Sequence, residues 1–111
     1  MSAKQELAAQ YAAQLSQALR LDESTGGVKT AQRASSLEDA IRDVVKKIDG
    51  LVYERTKHNL SADDKYEIYE LIAAELGVPG SQWGIIKEGS IAKALSFEQT
   101  LMLLVQKVKY E

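Results

Sequence analysis

The chain has 111 residues, which fits one domain over residues 1–111, because one hydrophobic core typically serves roughly 50 to 200 residues. Hydrophobic residues make up 45% and charged residues 27%, and these ordinary globular values exclude a disordered or collagen-like chain. There is no cysteine and only one histidine, so we expect neither disulfides nor a transition-metal site. The formal net charge of −2 gives no long-range attraction for nucleic acid or anionic lipid, so such binding would need a local basic patch.

The residue choice predicts an all-α fold. Seven glycines and one proline, set against many Ala, Leu, Glu, Gln and Lys residues, favour helices over a sandwich or barrel with many turns. We expect a small bundle of four main helices and one short helix. The sequence has no basic-then-apolar start and no apolar run of roughly 18 residues, so we expect a cytoplasmic protein without membrane contact.

The first predicted helix runs from about residue 3 to residue 21. Its large apolar residues recur every four positions and form a narrow stripe, which we expect to cover one neighbour: Leu7, Tyr11, Leu15 and Leu19. The polar segment over about residues 22–35 contains a Gly-Gly pair and predicts a loop. Because unstructured connections of this length are uncommon in compact domains, we interpret it as a mobile tether for helix one, with partial helix over 30–34 as the alternative.

The second predicted helix is the clearest amphipathic element. Ser35 and Glu38 have the spacing of a capping box at its start. Its apolar residues alternate spacings of three and four: Leu37, Ile41, Val44, Val45, Ile48, Leu51 and Val52. We expect the helix to continue to about His58, with Asn59 as a left-handed cap and Gly50 inside it.

The third predicted helix has clear start and stop signals. Ser61 and Asp64 have capping-box spacing, and the helix runs to Leu76. Gly77 then occupies the position where a glycine commonly ends a helix. Apolar residues take up most of its circumference, so we expect it to be the central helix.

The remaining residues predict a short helix and a final one. Residues 81–87 favour a short helix before the Glu88-Gly89 turn signal, with a small hairpin over 81–91 as the alternative. Ser96 and Gln99 have capping-box spacing and begin the last helix, whose apolar residues share one face.

Residues 69–88 carry the most specific pattern. A small residue at Ala73, a glycine at Gly77 and an apolar residue at Val78 suit a helix-turn-helix, in which two helices meet closely across a tight turn. The stretch resembles the turn and recognition-helix start of small bacterial and phage repressors. That resemblance implies DNA contacts from three polar residues: Ser81, Gln82 and Lys87.

Other features of this stretch disfavour DNA binding. Trp83 stands where a branched aliphatic residue is usual, and Pro79-Gly80 loosens the turn. From residue 61 onward there are five lysines against eight acidic residues, and Lys87 is the only cation within 69–88. Useful DNA affinity rests on neutralising about 6 to 10 phosphates, so we expect a structural helix pair here.

We find no pattern that predicts catalysis. His58 is the only imidazole, and the sequence places no orienting carboxylate beside it. Glu67 and Glu70 share a helix face, as in the Mg²⁺ sites of helical nucleotide pyrophosphatases, but a second acidic pair would have to come from Glu38 and Asp39. We therefore predict no enzyme activity, catalytic residue, metal, cofactor or small-molecule substrate.

The leading functional hypothesis is a non-catalytic protein that binds macromolecules, such as a small adaptor, accessory or assembly protein. Helix one, tethered by its polar loop, could dock on a protein partner or a second copy, and the seam of helix two permits the same. Aromatic residues suit such an interface because they bury a large area at low entropic cost. The predicted partner-binding residues are Leu7, Tyr11, Leu15, Leu19, Tyr53 and Trp83. The alternative is a helix-turn-helix DNA-binding regulator that uses residues 69–88.

Overall fold

A computed structural model describes residues 3–24, 31–53 and 55–109 of the chain. These residues form five α-helices: α1 (Ala3–Ser24), α2 (Ala31–Asp49), α3 (Ala62–Glu75), α4 (Gly80–Ala92) and α5 (Phe97–Lys109). The only extended pairing in the described part is an isolated bridge between Val52 and Asn59, so the predicted all-α fold is confirmed. The count of four main helices and one short helix is not confirmed, because α4 and α5 both have 13 residues.

The first helix packs against two others. It contacts both α2 and α3, whereas α5 contacts α2 and α4, and α4 also contacts α3. The prediction that the stripe of α1 covers a single neighbour is therefore wrong. Ala8, Ala12 and Ala18 are also buried, and these small residues widen the apolar face enough for helices on two sides. The largest fully buried side chains come from all helices except α4: Leu15, Ile41, Ile48, Ile68, Tyr69, Ile72, Leu101 and Leu104.

The second helix is shifted toward the N-terminus relative to its prediction. It starts at Ala31, so Ser35 lies inside the helix and does not cap it, and α1 continues to Ser24. Both ends of the predicted loop over 22–35 are therefore helical, and its centre at 25–30 lies outside the described residues. The alternative of partial helix over 30–34 agrees with the start of α2 at Ala31. Polar residues such as those around Gln32 are adequate helix formers.

The predicted continuation of α2 to His58 is wrong. The helix ends at Asp49, and the amide Nδ2 of Asn59 donates to the Asp49 carbonyl at 3.0 Å. The chain then folds back, with the N–H of Tyr53 donating to the carbonyl of His58 at 2.9 Å. Lys57, and not Asn59, adopts the left-handed conformation, with φ of 59°. Beyond Val52 the seam turns polar at Arg55 and His58, so a longer helix would bury little, while the folded-back segment still satisfies its backbone groups.

Both ends of α3 match their predictions. The Ser61 side chain accepts a hydrogen bond from the backbone N–H of Asp64. At the other end Gly77 has φ of +84°, and the N–H of Val78 donates to the carbonyl of Ala73 at 2.8 Å. This is a Schellman motif, and it buries Val78 against the core.

The fourth helix is longer than predicted, and the alternative hairpin over 81–91 is wrong. It begins after Pro79 at the N-cap and runs through the Glu88-Gly89 pair, which we had interpreted as a turn. The helix continues because Trp83, Ile86 and Ser90 keep one face buried over its whole length.

The fifth helix begins as predicted. The N–H of Gln99 donates to Ser96 Oγ at 3.1 Å, and the N–H of Ser96 donates to Gln99 Oε1 at 2.9 Å. These two bonds form the capping box that the sequence indicated.

Candidate docking groove

The predicted partner-binding stripe of α1 lies inside the molecule. Leu15 is fully buried, Tyr11 and Leu19 are nearly so, and Leu7 is half-buried against the same core. A partner could reach these side chains only if α1 left α2 and α3. The stripe therefore forms core contacts, and it is no open docking surface in this fold.

Trp83 also packs internally, within an aromatic cluster formed by Tyr66, Tyr69, Trp83 and Phe97. The ring centroids of Tyr66 and Phe97 lie 5.0 Å apart, and those of Tyr69 and Trp83 lie 6.1 Å apart. The hydroxyl of Tyr69 donates to the carbonyl of Phe97 at 3.0 Å, and burial raises the pKa of this phenol well above its usual value. The cluster joins α3, α4 and α5, so Trp83 contributes to the packing of these helices.

Tyr53 is the exposed member of the predicted set, and it belongs to a polar cluster with Lys4, Ser61, Asp64 and Glu67. Lys4 Nζ lies 2.8 Å from both Asp64 Oδ1 and Glu67 Oε2, and the Tyr53 hydroxyl donates to Asp64. These donors lower the pKa of Asp64 to about 2, and the two carboxylates in turn raise the pKa of Lys4. The cluster ties the start of α1 to the start of α3.

This ion pairing bears on the metal hypothesis. Glu67 is ion-paired to Lys4, which it shares with Asp64, so Lys4 would have to move away before Glu67 could bind a metal beside Glu70. Across residues 3–24, 31–53 and 55–109, no group of three or more acidic or imidazole side chains is placed to hold a metal ion. His58 is exposed in the segment between α2 and α3.

The helices α3 and α4 are in contact across the Gly77 turn. Ala73, Val78, Trp83 and Ile86 in this stretch are all buried. The three predicted DNA contacts do not share one face, however. Ser81 is exposed and Gln82 is half-buried beside the concavity between α4 and α5, whereas Lys87 Nζ lies 5.7 Å from the centroid of the Tyr66 ring.

A concavity lies between α4 and α5, and we call it the α4–α5 groove. Its volume is about 570 Å³. The lining residues are Gln82, Ile85, Ile86, Gly89, Ser90 and Lys93 from α4 and Leu95, Leu103, Gln106 and Lys107 from α5 and the turn before it. Ile85 is 65% exposed and Leu103 38% exposed, so both present large apolar surfaces to solvent. Lys93 and Lys107 supply positive charge, and within residues 3–24, 31–53 and 55–109 no carboxylate lines the groove.

Sequence reasoning missed this groove, although a signal for it was present. Ile85, Ile86 and Ile91 cannot all point to one side of a helix, because successive residues are about 100° apart. The run Leu101-Met102-Leu103-Leu104 in α5 has the same property. Each run forces at least one large apolar side chain outward, and α4 and α5 place Ile85 and Leu103 beside the same concavity.

A second concavity adjoins the groove across Leu95 and Leu103 and is lined by α2 and α5. Its charges are paired within the chain: Arg42 lies 3.1 Å from Glu98 and 3.6 Å from Glu38. The self-paired charges leave little electrostatic attraction for a partner, in contrast to the α4–α5 groove.

We compared the chain with models of protein families, with curated proteins and with solved structures, and no match was found. None of the described helices has the combined length and apolar character needed to cross a bilayer.

Proposed function

We propose that this chain is a small non-catalytic binding protein that docks on another protein through the α4–α5 groove. The observation that supports this most is the exposure of Ile85 in the lining of a concavity that also includes Leu95 and Leu103. Single exposed apolar residues are common on proteins, but several lining one concave surface are typical of interaction sites. Covering an isoleucine of this kind contributes about 1.5–3 kcal/mol of binding free energy.

The proposal moves the binding surface from helices one and two to helices four and five. Self-association through α1 would expose Leu15 and its neighbours first, and this would break the contacts that α1 makes with α2 and α3. Docking in the groove leaves the core intact. It also uses large apolar side chains that the fold already holds at the surface.

A selection experiment tests this proposal. We would select phage-displayed random peptides on the immobilised chain and screen the enriched pools against Ile85→Asp. The matched control is Ile91→Asp, because Ile91 is a similarly exposed isoleucine, at 57%, on the same helix but outside the groove. We expect a pool that binds the wild type and Ile91→Asp but loses about tenfold or more on Ile85→Asp. Enriched pools that treat both variants alike, or no enrichment, would contradict the proposal.

The second candidate function is a helix-turn-helix DNA-binding regulator. It is favoured by the Schellman turn at Gly77 and by the burial of Ala73, Val78 and Ile86 between α3 and α4. Fluorescence anisotropy of a random duplex pool, at low and at physiological salt, tests it. A regulator would bind with a steep loss on adding salt, and Gln82→Ala would change its sequence preference. No binding at tens of micromolar protein would count against this candidate.

A further inference from the structure

We infer that the occupant of the α4–α5 groove is an acidic amphipathic helix of a partner protein. This inference rests on the proposed function and adds the chemistry of the partner. Its main support is the charge of the lining, which among the described residues includes Lys93 and Lys107 and no carboxylate, around the apolar side chains of Ile85 and Leu103. Neither lysine has an ion-pair partner within the described part of the chain, so both are available to carboxylates.

The shape of the groove favours a helix over an extended strand. An added strand needs a sheet edge with unpaired backbone groups, and the described residues provide helices on both walls. The α4 side of the lining runs from Gln82 to Lys93, a length of about 16 Å or three helical turns. A partner helix with apolar residues at i, i+3, i+4 and i+7 would place its apolar stripe on Ile85 and Leu103, with flanking acidic residues toward the lysines.

Two other occupants fit the same surface less well. A second copy in a two-fold dimer would bring the same patch against itself, so Lys93 and Lys107 would meet lysines without a carboxylate in the lining. A nucleic acid would pair with the lysines but would leave the exposed Ile85 and Leu103 against a polar backbone. In the part of the chain that the structure describes, no aromatic residue lines the groove to stack on a base.

The composition of the groove-dependent peptides described above tests this inference. We expect them to be acidic with helical spacing of apolar residues. Synthetic versions, labelled with a fluorophore, should gain helical circular dichroism on binding. Charge reversal in the double variant Lys93→Glu, Lys107→Glu should weaken their binding about tenfold, and added salt should weaken binding to the wild type. The control is Lys46→Glu, which reverses an exposed charge on α2 outside the groove.

The outcomes separate this inference from the proposed function. Groove-dependent peptides that are neutral or basic, or that ignore the double charge reversal, would overturn the acidic helix and leave the docking function standing. Absence of any groove-dependent pool would overturn both. If sedimentation equilibrium showed a dimer of the wild type that Ile85→Asp dissociates, the occupant of the groove would be a second copy of this chain and not a partner helix. If the chain bound a random duplex pool and this binding depended on Lys93 and Lys107, the occupant of the groove would be a nucleic acid and not a partner helix.

Discussion

Two helix ends in this chain adopt the same left-handed geometry with different residues. Gly77 follows α3 with φ of +84°, and Ala94 follows α4 with φ of 54°. The residue after each donates its N–H back to a carbonyl of the helix, as in a Schellman motif: Val78 to Ala73, and Leu95 to Ser90. Glycine adopts this conformation without steric cost, whereas an L-residue loses about 1–2 kcal/mol there. Ala94 is therefore a locally strained position that the surrounding packing holds in place.

We expect Ala94→Gly to stabilise the fold by about 0.5–1 kcal/mol, since relief of strain exceeds the added entropy of the unfolded chain. The reciprocal change Gly77→Ala should destabilise by about 1 kcal/mol. A Cβ at Gly77 would meet no atom within 4 Å, so its cost is conformational and not steric. Urea unfolding monitored by the fluorescence of Trp83 measures both. Effects of the same sign would show that the two ends are not equivalent.

At the scale of whole elements, side-chain contacts join the segment between α2 and α3 to the helices around it. Asn59 holds the end of α2 through the Asp49 carbonyl, and Tyr53 reaches the start of α3 through Asp64. Lys4 extends the second contact to α1. Three elements thus meet at one carboxylate, whose ionisation should affect the stability of the fold.

Asp64→Asn should destabilise the fold at pH 7 and have little effect near pH 2. The folded state holds the pKa of Asp64 at about 2, below its usual value of 3.8, so the ionised carboxylate favours folding. That stability is fully present above about pH 4 and is lost as the pH falls toward 2. The control is Asp63→Asn, in the same first turn, because Asp63 has no ion pair among the described residues. Urea unfolding across this pH range checks the result, and a gap between wild type and Asp64→Asn that does not change with pH would refute it.

Local signals predicted the helix ends well where one side chain or one glycine decides them. Ser61, Gly77 and Ser96 act within a few residues, so their sequence context contains the interaction. The end of α2 could not be found in this way, because it depends on Asn59 bonding to Asp49 ten residues earlier. The length of α4 likewise depends on contacts of Trp83 and Ile86 with other helices.

The candidate site was less predictable than the fold. The runs of apolar residues around Ile85 and Leu103 require outward side chains, but periodicity does not tell which residue faces out. That choice depends on how α4 and α5 pack on α3 and α2. Conversely, the stripe of α1 could be interpreted as a docking surface because a narrow apolar face looks the same whether its partner lies within the chain or outside it.

At the scale of the whole molecule, the position of α1 decides between a fixed core helix and a detachable docking arm. Leu15 is fully buried between α1 and its two neighbours, whereas Leu103 lies partly exposed at the groove. Truncating a buried leucine typically costs 2–5 kcal/mol, and a surface substitution costs about 0.5 kcal/mol. Domains of this kind have only about 5–15 kcal/mol of stability in total, so the two cases are easily distinguished.

Leu15→Ala should therefore lower the free energy of unfolding by about 2–5 kcal/mol, with Leu103→Ala as the control that leaves it within about 0.5–1 kcal/mol. Chemical denaturation of both variants measures the free energy of unfolding. The slope of this free energy against denaturant concentration shows whether each variant exposes as much surface on unfolding as the wild type does. In the docking function proposed above, Leu103→Ala should in turn weaken peptide binding, whereas Leu15→Ala should not while the variant remains folded. If Leu15→Ala left stability unchanged, α1 would not be part of the cooperative core, and its stripe would again be the better candidate for the partner surface.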